Sequence, residues 1–288
     1  MSEAVLTYMR QPSAPRLRLP PASCDAHVHV FGPVALFPFS PASAIIPADA
    51  PKETLFALHR RLGISRCVIV QSVVHGVDNA VVEDAIRAGG GHYLGVALVP
   101  HQVSDAELAR LQAAGFRGVR FNFMKHLGWG ATAQQVVALT RRLEPLGLHL
   151  QIHFESSLIH ELAPVLRQSS VPVVIDHMGR VDASLGADHA DFRALVALMD
   201  DPRFYVKVSG VDRVSSAAPY TQGVALARLL LAGFPDRCFW GSDWPHPNHT
   251  HVPDDGLLVD LLAEIAPTTA ALQALLVDNP QRFYRFPA

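Results

Sequence analysis

The chain has 288 residues, with 24 Lys and Arg against 26 Asp and Glu, a formal net charge of −2, 49% hydrophobic residues and only 17% charged ones. That balance excludes a disordered chain and the basic stripe of a nucleic-acid binder, and no apolar run approaches the ~20 residues of a membrane span. It is enough apolar material for one large core, and α/β barrels run to about 250 residues as a single domain.

Residues 1 to 22 read as a Pro-rich arm without the continuous apolar stretch of a secretion signal. The first predicted strand is Cys24–Val30, "CDAHVHV", in which side chains two residues apart share a face. His27 and His29 therefore point to one side, with Asp25 below them. Further strands are predicted at Cys67–Gln71, Tyr93–Val99, Gly118–Phe123, His149–Phe154, Val173–His177, Tyr205–Ser209 and Cys238–Ser242. Helical patterns fill the gaps. One runs from Pro51 to Gly63 and another begins at Asp78. A third is capped by Ser104, with Glu107 three residues on completing a capping box, and a fourth is capped by Thr132. "SLIHELAPVLRQSS", "DFRALVALMDD" and "YTQGVALARLLLAG" separate the later strands, and "DDGLLVDLLAEIAP" and "TTAALQALLVDNPQRFY" close the chain.

Eight strands, each followed by a helix, predict a (β/α)8 barrel of class α/β over residues 23–288, one domain behind the arm. Strands such as "CVIVQ" and "VPVVID" are apolar on both faces, as buried parallel strands are. An open doubly wound sheet would carry a Gly-rich loop after its first strand, where this chain has "HVHVFGP". The longest connection, Phe31 to Lys52, is a candidate lid. Cys24, Cys67 and Cys238 are odd in number, lack framework spacing and fall in predicted strands. They read as buried reduced thiols of a cytoplasmic protein.

Barrel sites lie at the C-terminal ends of the strands. There the chain places His27 and His29, then His75 with Asp78 and Asn79, then Arg120, Asn122, Lys125 and His126. His153 and Glu155 follow, then His177 and Arg180, then Lys207, Ser209 and Arg213, and finally Asp243, His246 and Asn248. One polar residue in a strand can be satisfied structurally. A polar group at the same end of nearly every strand points to a shared wet site, because each would otherwise need a partner to offset burial. Arg120, Lys125, Arg180 and Arg213 gathered at one end suit an anion, since a guanidinium grips a carboxylate bidentately. The plain alternative for any single arginine is a surface ion pair. No P-loop and no GxSxG are present, which excludes those phosphate-binding and serine-nucleophile chemistries.

"DAHVHVFGP", "QSVVHGVDN", "GVRFNF", "DHMGR", "WGSDWPHPN" and the tail "LLVDNPQRFY" resemble the amidohydrolase superfamily, in its amidohydrolase 2 branch, and most closely the 2-pyrone-4,6-dicarboxylate lactonases. The resemblance covers Cys24 to Tyr284. It implies a barrel hydrolase of aromatic-acid catabolism that opens a carboxylated lactone by water attack on the ring ester. It implies that Asp243 is the general base, that His27, His29 and His177 polarise the carbonyl, and that Arg120, Arg180 and Arg213 hold the substrate carboxylates. Lys125, His75 and His246 join as substrate-binding candidates.

The chain departs from that group at three positions. A basic residue expected after "RFNF" falls at His126, beside Lys125. A tyrosine expected in the long first loop falls near Ile45, and one expected on the fifth strand is His153. In metal-dependent members a fifth-strand histidine joins the HxH pair and the late aspartate, so His27, His29, His153 and Asp243 are a candidate ligand set for Zn²⁺ or Mn²⁺. The lactonases nearest in motif imply that no cofactor is required. Two other readings stand beside the lactonase: a metal-dependent decarboxylase or amide or sugar-lactone hydrolase, and a non-catalytic barrel that binds a small acid. The expected partner is a small anionic lactone, with no nucleic acid and no membrane, and the chain is compatible with an oligomer.

Overall fold

A computed structural model describes residues 4–43, 45–124, 131–215, 217–249 and 251–287. Eight parallel strands follow in sequence order in one sheet, as a (β/α)8 barrel requires. They are β1 Cys24–Val28, β2 Arg66–Val70, β3 Tyr93–Leu98, β4 Phe116–Phe123, β5 His149–Phe154, β6 Val173–Ile175, β7 Phe204–Lys207 and β8 Cys238–Phe239. The major connecting helices are α1 Lys52–Leu62, α2 Ala80–Ala88, α3 Asp105–Ala113, α4 Ala133–Leu143, α5 Ile159–Leu166 and α6 Ala190–Met199. They are followed by α7 Val211–Val214, α8 Thr221–Gly233, α9 Asp255–Asp260, α10 Leu262–Ile265, α11 Thr269–Gln273 and α12 Asn279–Tyr284. No helix among the described residues is long and apolar enough to cross a membrane.

The chain divides into two compact units, Met1–Leu98 with Trp240–Ala288, and Val99–Phe239. In the first, β1, β2 and β3 pair in parallel, and the buried Val68, Ile69, Val96 and Leu98 meet Leu55, Val82 and Leu275 of the helical layer in one apolar core. The three thiols are all buried and unbridged. The arm packs on this unit. Val5 exchanges backbone hydrogen bonds with Ile46 and Ala48 of the first loop, the Tyr8 ring lies 5.0 Å from that of Trp244, and Arg16 pairs with Asp260.

In the second unit β4, β5, β6, β7 and β8 pair in parallel, and Phe121, Ile152, Val174, Val206 and Leu230 are buried. Two N-caps form as their sequences suggest. Thr132 and Gln135 make a complete capping box on α4. At α3 the box is half made: Ser104 accepts the Glu107 N–H, while the Glu107 carboxylate turns to Arg110 at 2.8 Å.

Several strands are shorter at their C-terminal ends than the apolar pattern predicts. β6 stops at Ile175, and Asp176 leads into a turn where His177, Met178 and Arg180 have φ of 47°, 53° and 57°. β8 stops at Phe239, ahead of Asp243 with φ 65°. Left-handed backbone cannot continue a strand. The segment after β7 is not extended either, because Val211–Val214 forms the short helix α7, which carries Arg213. The closing helix is interrupted by a π-turn at Ala274–Asp278.

Gly118 sits opposite His149 in the β4–β5 register, and a Cβ there would lie 2.5 Å from the buried imidazole. Gly118→Val should therefore cost ~1–3 kcal/mol by overpacking, read as a lower urea midpoint at unchanged slope.

Candidate active site

In the first unit, backbone hydrogen bonds lace β1 to the turn after β8. The Ala26 N–H donates to Trp240 O at 2.8 Å, Asp243 N–H to His27 O at 2.8 Å, and His29 N–H to Trp244 O at 2.7 Å. They hold Asp243 in the left-handed region, a conformation that costs a non-glycine residue about 1 kcal/mol or more and clusters at functional sites. The buried Asp243 Oδ1 lies 3.3 Å from His29 Nε2 and 3.6 Å from His27 Nε2.

His29 Nδ1 is 2.7 Å from Val70 O. A carbonyl only accepts, so Nδ1 carries the hydrogen, and a neutral His29 would turn a lone pair toward the carboxylate. That lone pair and the carboxylate are both ligands that a cation can use. The ligand atoms of His27, His29 and Asp243 all fall within 4.8 Å of one another, so this donor set fits a small divalent ion.

The second unit holds a group of the opposite character. Arg120 Nε–H donates to Asp176 Oδ2 at 2.8 Å, and Gln151 Nε2–H donates to the same oxygen at 3.1 Å. Lys207 Nζ donates to Gln151 Oε1 at 2.9 Å and stands 3.5 Å from Asp176 Oδ1. All four are buried, so two cations face one carboxylate away from water. Among the described residues, Asp176 is the hydrogen-bond partner of the Arg120 guanidinium.

His177 sits in its left-handed turn with Nδ1 3.0 Å from Ser209 Oγ. Arg180 ends the same turn and Arg213 lies on α7, both half-buried. His153, 3.1 Å from Asn122 Oδ1, is held well below the usual imidazole pKa, first by burial and then by the charges of Arg120, Arg180 and Arg213. The charges that favour the neutral imidazole would also oppose a cation beside it. Among the described residues, the HxH pair and Asp243 gather their ligand atoms within 4.8 Å without His153, the expected fourth ligand.

Two expected substrate contacts are otherwise engaged. His75 Nδ1 donates to Pro38 O at 3.1 Å and its Nε2 accepts the Gly32 N–H at 3.3 Å. Its ring lies 5.1 Å from that of Phe39, and burial lowers its pKa. It is the latch of the Phe31–Ala50 loop, with both nitrogens used on backbone. His246 is fully buried with Nε2 3.1 Å from Asp255 Oδ1, a structural pair under the turn. Lys125 and His126 lie outside the described residues.

Asp176 and Gln151 were missed by sequence reasoning, although each neighbours a residue it singled out. Asp176 opens "DHMGR", and Gln151 precedes His153 by two, on the same strand face.

The amidohydrolase family model, described as "Amidohydrolase", matches residues 24–286. The chain belongs to the amidohydrolase family. This amidohydrolase is 43% identical to a 2-pyrone-4,6-dicarboxylate hydrolase of Comamonas testosteroni, over 97% of its own length and 95% of the relative's. It is 39% identical to a 4-sulfomuconolactone hydrolase of Hydrogenophaga intermedia, over 93% and 90% of the two chains. A crystal structure from Acinetobacter baumannii, named for 2-pyrone-4,6-dicarboxylic acid hydrolysis and holding citric acid, superposes with a TM-score of 0.81 at 26% identity, covering 92% of this chain and 100% of that one.

His149 is the clearest acid-sensitive group of the second unit. Burial and then the Lys207 charge push its pKa down to about 3, against 6.5 when unfolded. The unfolded chain binds the proton more readily, so the stability that neutral His149 contributes is intact above pH 6.5 and is lost as pH falls toward 3. Urea unfolding at pH 7, 5 and 4 should show this decline, and His149→Gln should flatten it.

Proposed function

We propose that this amidohydrolase opens the ring ester of a carboxylated lactone, 2-pyrone-4,6-dicarboxylate or a close relative, in aromatic-acid catabolism. The observation that carries the reading is Asp243: a buried carboxylate, held in a left-handed turn, with its Oδ1 against the Nε2 atoms of both histidines of the HxH pair. A base fixed beside groups that polarise the carbonyl is what ester hydrolysis by water needs. The names of the two relatives, both lactone hydrolases, support the substrate class.

In this reading Asp243 takes the proton as water attacks the lactone carbonyl. His27, His29 and His177 surround the lactone carbonyl and polarise it as the oxyanion develops. Collapse of the tetrahedral species breaks the ring C–O bond, and the departing ring oxygen recovers the proton from Asp243. Arg120, Arg180, Arg213 and Lys125 hold the carboxylates. Asp176 and Gln151 support that role in Arg120 by fixing its guanidinium at Nε, which orients the opposite edge.

A divalent ion held by His27, His29 and Asp243 would supply Lewis-acid polarisation when bound. An enol-type leaving group is already activated, so we expect turnover without such help. The three buried thiols suit a reducing cytoplasm.

The test is hydrolysis of 2-pyrone-4,6-dicarboxylate by purified protein, followed by loss of the pyrone absorbance, with and without chelator and alongside elemental analysis. Chelator-resistant turnover is expected. Loss of activity restored by Zn²⁺ or Mn²⁺ would give the ion the catalytic part, and no turnover would overturn the substrate assignment. Asp243→Asn should lower kcat about 10²–10⁴-fold with the fold intact, as expected for loss of a general base.

A further inference from the structure

Asp25 is a fully buried carboxylate that the hydrolytic scheme does not use. It lies on β1 two residues before His27. Its Oδ1 accepts the His27 N–H at 3.1 Å and the Ser242 N–H at 3.0 Å. Its Oδ2 accepts the Ser242 hydroxyl at 2.6 Å, and that hydroxyl oxygen accepts the Trp244 N–H at 3.2 Å. One carboxylate therefore ties the backbone on both sides of Asp243 to the strand that carries the histidines.

The approach is close. A Cβ on Gly241 would sit 2.5 Å from the His27 nitrogen and 2.9 Å from Asp25 Oδ1, so only glycine lets the two segments meet here. On its other side, Asp25 Oδ2 is 3.7 Å from His59 Nε2, and the His59 ring is anchored by a 2.8 Å hydrogen bond between Nδ1 and Tyr93 OH. The residues that grip the turn are thus themselves gripped from the helix and strand behind.

We infer that Asp25, acting through Ser242, is a positioning residue for the proposed hydrolysis: it sets the Asp243 carboxylate at its distance from His29 by clamping the Ser242–Trp244 turn. Asp243 needs such a clamp because its own backbone is in a conformation that relaxes unless its surroundings over-determine it. The inference rests on the lactonase reading for its kinetic consequence but not for its geometry.

Two variants and two readouts test it. Ser242→Ala keeps both N–H bonds to Asp25 Oδ1 and removes only the hydroxyl bridge, and Asp25→Asn keeps the shape and removes the charge. A misplacement of a reacting group by ~1 Å costs up to about 10²-fold in rate. Each variant should therefore lose at least about 10-fold in kcat, while KM stays within about threefold and the melting temperature barely moves for Ser242→Ala. Crystal structures of the variants should show the Asp243 carboxylate displaced from its present 3.3 Å to His29 Nε2. Should Asp25→Asn fail to fold, Ser242→Ala decides alone. Rates within twofold of the parent, or an unmoved carboxylate, would overturn the inference. If the parent itself hydrolyses no lactone, the functional reading has failed, and displacement of the carboxylate then decides the positioning role by itself.

Discussion

The site of the first unit depends on one lacing: three backbone hydrogen bonds that join β1 to the turn after β8, with Asp243 N–H on His27 O at their centre. A carboxylate and two imidazoles are costly to bury, and each would shift toward its neutral form if left alone. Interlocking the two segments brings them together so that each offsets the other's burial. The same bonds hold Asp243 at a φ of 65°, which points its carboxylate back at the histidine pair instead of along the strand direction. Everything chemical in this unit follows from that turn: the close approach of Asp243 to both histidines, the fit to a divalent ion, and the need for a buried clamp beneath.

The second unit solves a different electrostatic problem. Arg120 and Lys207 share the single carboxylate of Asp176, with Gln151 hydrogen-bonded to both sides. Two cations therefore face one carboxylate in a buried cluster. Burial first, and then Lys207 for His149 and the arginines for His153, hold both imidazoles below their ordinary pKa. A neutral histidine adds no negative charge to the positive surroundings of Arg120 and Lys207, as a carboxylate would.

The order of strands and helices was legible because buried parallel strands are apolar on both faces and the helices carry standard caps. Which strand ends bear polar residues was legible too. What the sequence could not show is where a strand stops being a strand. His177, Arg180 and Asp243 lie beyond the ends of β6 and β8 in left-handed backbone, a conformation that is uncommon for any non-glycine residue and for which the enrichment of His and Asp is too weak a mark to place a strand end. Nor could it separate a histidine spent on structure from one left for substrate. His75 and His246 sit in the same kind of motif as His27 and His29, and only their partners, the Pro38 and Gly32 backbone and Asp255, tell them apart. The arm read as a lead-in, yet Tyr8 packs on Trp244, one residue past Asp243, a contact that spans almost the whole sequence.

The most direct test of the account is a single-turnover reaction in oxygen-18 water with enzyme in excess over lactone. If Asp243 acts as a base on water, the heavy oxygen appears in the newly formed carboxylate of the product in the first turnover, and the Asp243 side chain stays unlabelled. Product without label in that turnover, with oxygen-18 then recovered in the Asp243 carboxylate, would mean that Asp243 attacks the carbonyl itself, and would contradict the role on which the rest is built.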